Sequence, residues 1–494
     1  MKIIALLYLD DNISDKDLEF QGYYIPEKME ENLSALNEIN DVNFCIPKGY
    51  SGKITDKSAC IIRDKKDDAA LWKEIFSNTG VDHIVKIFCD SPFLDIEIIK
   101  EMIDLHLKYL AEFTYSENLP SGFSCEIMSN ELIKTLPDTI DGMLPLSQVI
   151  KSNINQFDVE LYYKDPDIRD KRLAYRSGSP LDKRIMSNIY SKLGKIPKYS
   201  EIRDLINNNP ELLYAGPSFV EVELTGRCDL DCIFCYRNTI KHRTTDIDID
   251  LFEKILKDMN IFQLPYSICL GGSGEPMMHN NFYEIIETSL KESFVKDVVV
   301  ETNGIYADNN YKNLLLNCTN NRIKTIFNIN GLDNDTYLTI HNKDYFQRVF
   351  ENITSIQDAL KGKNSIYIQI MKINETEVFL DNYYDFWEKY NIPIILQKHN
   401  TYLGKIPDRR YSDLTPLERT PCWHLQRDVS ILSDGRIIFC KQDIDGNYVK
   451  GRIQDESLYD LWKKSEHFFV DDYNGNYLTC PDCKSCDEWY TFNL

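Results

Sequence analysis

Thr225-Gly226-Arg227-Cys228-Asp229-Leu230-Asp231-Cys232-Ile233-Phe234-Cys235-Tyr236 sets the character of the middle of this chain. The stretch directly follows Phe219-Val220-Glu221-Val222-Glu223-Leu224, whose alternation marks a β-strand. Its cysteines are spaced Cys-x3-Cys-x2-Cys. Three thiolates on one tight loop can hold three irons of a [4Fe–4S] cluster and leave the fourth iron open to a cofactor. A structural zinc site normally takes four protein ligands, and His242 is the one local candidate for the fourth.

Further strand patterns follow at Ser267–Leu270, Val298–Glu301, Thr325–Ile329, Ser365–Ile370 and Pro393–Gln397, separated by helical patterns. Repeated βα units of this kind predict a full or partial parallel barrel that binds ligands at the carboxyl ends of its strands. Two of those ends read Gly271-Gly272-Ser273-Gly274-Glu275-Pro276 and Thr302-Asn303-Gly304. Each alone is an ordinary tight turn. In this order, behind the cysteine loop, they resemble the radical S-adenosylmethionine (SAM) enzymes over residues 215–400. The resemblance implies that Cys228, Cys232 and Cys235 ligate the cluster and that Tyr236 lies beside the adenine. It also implies that Gly271, Gly272 and Glu275 receive the SAM ammonium, with Asn303 in the next strand-end motif. Phe327-Asn328-Ile329-Asn330-Gly331 resembles the family's Ser-Ile-Asp-Gly strand end with asparagines substituted. Asn328 can still hydrogen-bond SAM but cannot act as a base at neutral pH. No catalytic acid or base is assigned.

Of the fourteen cysteines, five crowd the end of the chain: Cys422, Cys440, Cys480, Cys483 and Cys486. With Gly435, Asp443, Gly446 and the helical Ser457–Trp462, they resemble the SPASM/Twitch domains appended to radical SAM enzymes. The resemblance implies one auxiliary [4Fe–4S] cluster held by Cys422, Cys440, Cys483 and Cys486, with Cys480 an alternative ligand. A four-cysteine zinc site is the competing reading of these spacings. The scattered cysteines read as small core residues.

Towards the amino end, Lys2–Leu9, Val42–Ile46 and His83–Phe88 read as strands, and Glu30–Ile39, Ala69–Thr79 and Asp95–Leu110 as helices. Strands alternating with helices predict an α/β sheet. The run His83–Asp95, with Asn118, Pro120, Gly122 and Glu126, resembles the sugar cytidylyltransferases, which implies that Asp90 helps to bind Mg²⁺. Pro26 and Lys28 of that family's phosphate loop remain, but its arginines do not. Arg176 stands near the position of the expected second metal aspartate. The domain therefore reads as degenerate.

The predicted architecture is α/β throughout: a Rossmann-like nucleotidyltransferase-type sheet, a partial (β/α) barrel of radical SAM type, and a small C-terminal iron–sulfur domain. The expected ranges are 1–196, a linker at 197–214, 215–405 and 415–494. This order resembles the spiro-SPASM proteins. It implies an enzyme that reductively cleaves SAM and takes hydrogen from a peptide, protein or sugar-type substrate. Its electrons would come from a donor such as flavodoxin or ferredoxin. The alternative is a sugar nucleotidyltransferase with redox-sensing iron–sulfur domains. The 43% apolar and 27% charged composition is that of a globular protein, and the net charge of −22 provides no overall field for nucleic acid or an anionic membrane. The leading apolar run ends at Asp10-Asp11 without a small-residue cleavage site, so it reads as a buried strand and the expected location is the cytoplasm.

Overall fold

Ile3–Tyr8 is buried at every position and lies inside a seven-stranded sheet, between Asp41–Pro47 and His83–Phe88. Its companions are Asp41–Pro47, Cys60–Arg63, His83–Phe88, Phe113–Ser116, Glu126–Ser129 and Val159–Tyr162. Counted along the chain, their order across the sheet is 3-2-1-4-6-5-7, with only the sixth antiparallel to its neighbours. Leu6, Trp72, Ile75, Ile84 and Phe113 pack into one core on a face of this sheet. The computed structural model describes all residues except 54–58, 65, 137–143, 241–244, 319, 362, 364, 414 and 492–494. The chain divides into two units, Met1–Ala215 and Gly216–Leu494.

Two expectations change in the first unit. The helix expected at Glu30–Ile39 runs instead from Ile25 to Ser34. Pro26 lies in its first turn, where proline's fixed φ suits a helix start and no N–H is missed. The stretch 197–214, expected as a linker, holds the helix Tyr199–Asn208 and belongs to the first unit. Tyr199, Ile202 and Ile206 fall on one helical face and are buried, and the Tyr199 hydroxyl donates to the Pro166 carbonyl at 2.7 Å. Three well-spaced apolar side chains outweigh the polar composition of that segment.

In the second unit, six parallel strands follow one another across the sheet in chain order: Phe219–Glu223, Tyr266–Gly271, Val295–Thr302, Ile323–Asn328, Ile366–Lys372 and Ile394–Lys398. Phe219, Cys269, Val299 and Ile326 pack together with Tyr367 and Ile395, one residue from each strand, and form the floor of the barrel interior. Strand alternation places Glu221, Glu223, Glu301, Asn328 and Gln369 on that same inner face, nearer the carboxyl ends. The C-terminal segment was expected as a separate domain. Its strand Asp428–Ile431 instead pairs in parallel with Phe219–Glu223, and Arg436–Ile438 and Val449–Arg452 extend the same sheet. An open barrel edge leaves a row of backbone groups unpaired, and this segment satisfies them.

Candidate active site

The cysteine loop is pinned at both ends. Before Cys228, the Arg227 guanidinium donates to Asp246 at 2.5 Å and to the Met278 carbonyl at 2.8 Å. Around Cys232, the loop lies on the carboxyl end of the helix Asn334–His341, whose last carbonyls have no partner within the helix. Ile233 N–H donates to the Ile340 carbonyl at 2.9 Å, and Asn342 Nδ2 donates to the Asp231 carbonyl at 2.7 Å. Cys228, Cys232 and Cys235 are half-buried, and burial pushes the Cys228 thiol up to about 11. His242, the local candidate for a fourth ligand, lies outside the described residues.

The glycine loop packs against the cysteine loop. Glu275 N–H donates to the Arg227 carbonyl at 2.7 Å, and a Cβ on Gly274 would lie 2.0 Å from the Thr225 carbonyl oxygen. Only glycine permits that approach. Gly271 ends its strand with ordinary spacing around it, and Gly272 has a φ of +98°. Sequence reading named Gly271 and Gly272 and passed over Gly274, although Gly274 immediately precedes Glu275-Pro276. The Glu275 carboxylate accepts from Thr302 Oγ1 at 2.7 Å, Asn303 N–H at 2.8 Å and Met277 N–H at 3.2 Å, which ties the two strand-end motifs together. Burial pushes its carboxyl up to about 7 against the pull of these hydrogen bonds.

The remaining cofactor candidates surround these loops. Asn303 Nδ2 lies 3.9 Å from Cys228 Sγ, and the Tyr236 ring packs against Tyr402 at 4.6 Å between centroids. Asn328 ends its strand and accepts from Gln369 Nε2 at 2.5 Å. Below them, burial pushes the Glu221 carboxyl up to about 7 and raises that of Glu301, with Lys441 opposing both shifts. Sequence reading also passed over Glu223. Its buried carboxylate accepts from the N–H and hydroxyl of both Ser273 and Ser433, joining the glycine loop to the C-terminal segment.

The five C-terminal cysteines converge. Cys422 interacts electrostatically with Cys486 and Cys440, Cys440 with Cys480, and Cys480 and Cys483 share a hydrogen bond. Asp472 holds this centre by accepting from Cys422 N–H at 2.7 Å and Arg419 Nη2 at 2.9 Å. Among the described residues, no three His, Cys, Asp or Glu side chains converge tightly enough for a single metal ion.

In the first unit, Asp90 lies just beyond the strand His83–Phe88 and is buried. Its carboxylate accepts from Arg176 Nε at 2.8 Å, Arg176 Nη2 at 2.6 Å and Gly178 N–H at 3.1 Å. Arg176 Nη2 also donates to Asp10 at 2.8 Å, and its guanidinium stacks 3.8 Å from the Phe88 ring centroid. The cation thus occupies the space between two carboxylates. Asn118 braces the loop through the Lys164 carbonyl at 2.8 Å, and Gly122 abuts the Tyr175 backbone. Glu126 pairs with buried Lys86 at 3.3 Å, while Lys28 pairs with Glu31 at 2.8 Å on the surface.

The radical SAM superfamily model matches residues 222–381, and the SPASM model, an iron–sulfur cluster-binding domain, matches residues 422–487. The chain carries a radical SAM domain followed by a SPASM domain. It is therefore an enzyme whose cofactors are a [4Fe–4S] cluster, SAM and auxiliary iron–sulfur. An uncharacterized protein of Treponema pallidum (strain Nichols) is 25% identical over 70% of this chain and 97% of its own. A probable GTP 3′,8-cyclase of Methanothermobacter thermautotrophicus is 26% identical over 40% of this chain, and the match spans 64% of that protein. Among solved structures, a cytidylyltransferase from Leptospira borgpetersenii covers 43% of this chain and 96% of its own at 21% identity, with a TM-score of 0.37. Among the described residues, no helix is long and apolar enough to cross a membrane.

Proposed function

We propose that this radical SAM enzyme abstracts hydrogen from a peptide, protein or sugar-type substrate held over the barrel mouth. Cys228, Cys232 and Cys235 would hold the site cluster. Cys422, Cys440, Cys483 and Cys486 would hold a single auxiliary [4Fe–4S] cluster, with Cys480 as the alternative ligand. The observation that carries this reading is the Glu275 carboxylate. It knots the glycine loop to Thr302 and Asn303 while that loop packs on the cysteine loop, so one buried anion stands beside the thiolates. When bound, the cluster and SAM supply reductive cleavage to methionine and a 5′-deoxyadenosyl radical that takes hydrogen from the substrate.

Each residue then has a task. Glu275 faces the SAM ammonium as a charge-assisted acceptor, and the tight Gly274 contact keeps its loop against the cysteines. Tyr236 offers an aromatic face to the adenine. Asn328 keeps its Nδ2 for the SAM carboxylate or ribose, because its oxygen is taken by Gln369. The polar inner face, with Glu221 and Glu301 above an apolar floor, favours a substrate group that donates hydrogen bonds. The nucleotidyltransferase alternative is disfavoured by Arg176, which already pairs with both Asp90 and Asp10. The test is anaerobic reconstitution with SAM and dithionite. Formation of 5′-deoxyadenosine is expected, and its complete absence with both clusters assembled would refute the reading.

A further inference from the structure

His341 ends the helix that supports the cysteine loop, 109 residues beyond Cys232 in the chain. It is 1% exposed, and its ring packs against Tyr337 at 4.2 Å between centroids. Its two nitrogens have different partners. Nε2 lies 3.1 Å from the Asn330 backbone N–H, and Nδ1 lies 3.0 Å from Cys232 Sγ. A backbone N–H can only donate, so Nε2 must carry the lone pair. The proton of the neutral ring therefore sits on Nδ1 and points at the sulfur. The backbone on either side holds this arrangement, because the His341 carbonyl accepts from Asp231 N–H at 3.3 Å. Ring and main chain of one residue thus both engage the loop that carries Cys232.

We propose that His341 is a positioning residue that donates a fixed N–H···S hydrogen bond to Cys232, raising the reduction potential of the site cluster. This inference rests on the cluster assignment above and goes beyond it. A reduced cluster places more negative charge on its thiolates than an oxidised one. A donor aimed at a ligand sulfur stabilises the reduced form more and so eases the electron's arrival. Asn330 fixes the tautomer through its main chain, so the donor is in place before the cluster is reduced.

The experiment is a redox titration of the reconstituted full chain, following the EPR signal of the cluster that SAM perturbs, with iron counted in parallel. His341→Leu should lower the reduced-to-oxidised ratio at a given potential about tenfold, a downward shift of about 59 mV for one electron. His341→Gln should restore most of it, because the amide can accept from Asn330 and donate to Cys232. A purely structural role would lower the iron content without moving the potential of the clusters that form. An unshifted potential in His341→Leu at full iron content would overturn the inference. Pulsed EPR on the wild-type protein with ¹⁵N-labelled histidine does not depend on any variant folding. A histidine nitrogen coupled to the reduced cluster is expected, and its absence would equally overturn the proposal. A wild-type chain that assembles no SAM-responsive cluster would refute the proposed function itself, which separates the two failures.

Discussion

Replacing Gly274 with alanine probes the contact on which the site is built. A Cβ there would lie 2.0 Å from the Thr225 carbonyl oxygen, 2.7 Å from the Arg227 carbonyl oxygen and 2.8 Å from the Thr225 carbonyl carbon. Real Cβ atoms essentially never approach closer than 3.0 Å, so the two loops must separate by about 1 Å. All three atoms belong to the backbone, and no side chain can rotate away. Overpacking of this kind typically costs about 1–3 kcal/mol. It falls on the residues directly preceding Cys228 and would displace that thiolate from the proposed site cluster. Reconstituted Gly274→Ala should therefore bind about four irons rather than about eight, keeping the auxiliary cluster and losing the site cluster. The control is Gly271→Ala, whose Cβ would meet Cys269 Sγ at 3.5 Å and Glu301 Oε2 at 3.6 Å, both ordinary contacts. It should retain all its iron. Iron analysis and visible absorption read the result, with far-UV circular dichroism to confirm folding. A Gly274→Ala protein with full iron and undiminished SAM affinity would refute the reasoning.

Replacing Cys228, Cys232 and Cys235 together with alanine should remove about half of the iron; full retention, or stoichiometric zinc at the C-terminal cysteines, would contradict the two-cluster assignment. Glu275→Gln should weaken SAM binding by about 1.5–3 kcal/mol in calorimetry and leave the cluster spectrum unchanged. Because burial raises this carboxyl to about 7, its negative charge is present above that pH and lost below it. SAM affinity should accordingly weaken as pH falls through about 7 in the wild type, and that step should vanish in Glu275→Gln. Incubated with CTP, Mg²⁺ and a panel of acidic and amino sugars, the full chain should release no pyrophosphate at an enzymatic rate. Turnover abolished by Asp90→Ala would show that the Arg176 pairing does not close the site.

The parts legible in the sequence are those whose chemistry is local. Three cysteines within eight residues, and Glu275-Pro276 after a strand, announce themselves by spacing. The barrel strands follow from their apolar runs to within a few residues. Contacts between distant segments left no such trace. His341 resembles any other histidine near a helix end until the fold sets it against Cys232. Three glycines precede Glu275, and only the packed backbone shows that Gly274 is the squeezed one. Arg176 was noticed as a cation in an unexpected place, whereas its bridge to both Asp90 and Asp10 required the fold. The assumed linker failed for a different reason, because Tyr199, Ile202 and Ile206 make a buried stripe in a segment whose average composition is polar.

The strand Phe219–Glu223 carries the cysteine loop at one end and is hydrogen-bonded along its edge to Asp428–Ile431 of the C-terminal segment. Glu223, the last residue of the strand, accepts two hydrogen bonds from Ser433. Deleting the SPASM segment would consequently open the sheet that carries the cysteine loop. A chain cut near residue 420 would present a bare barrel edge, open to pairing with other molecules, and would leave a buried carboxylate short of donors. Grafting this segment onto a foreign barrel would require transplanting that strand, and with it the loop that holds Cys228. A chimera that keeps this pairing must therefore carry both cysteine groups together.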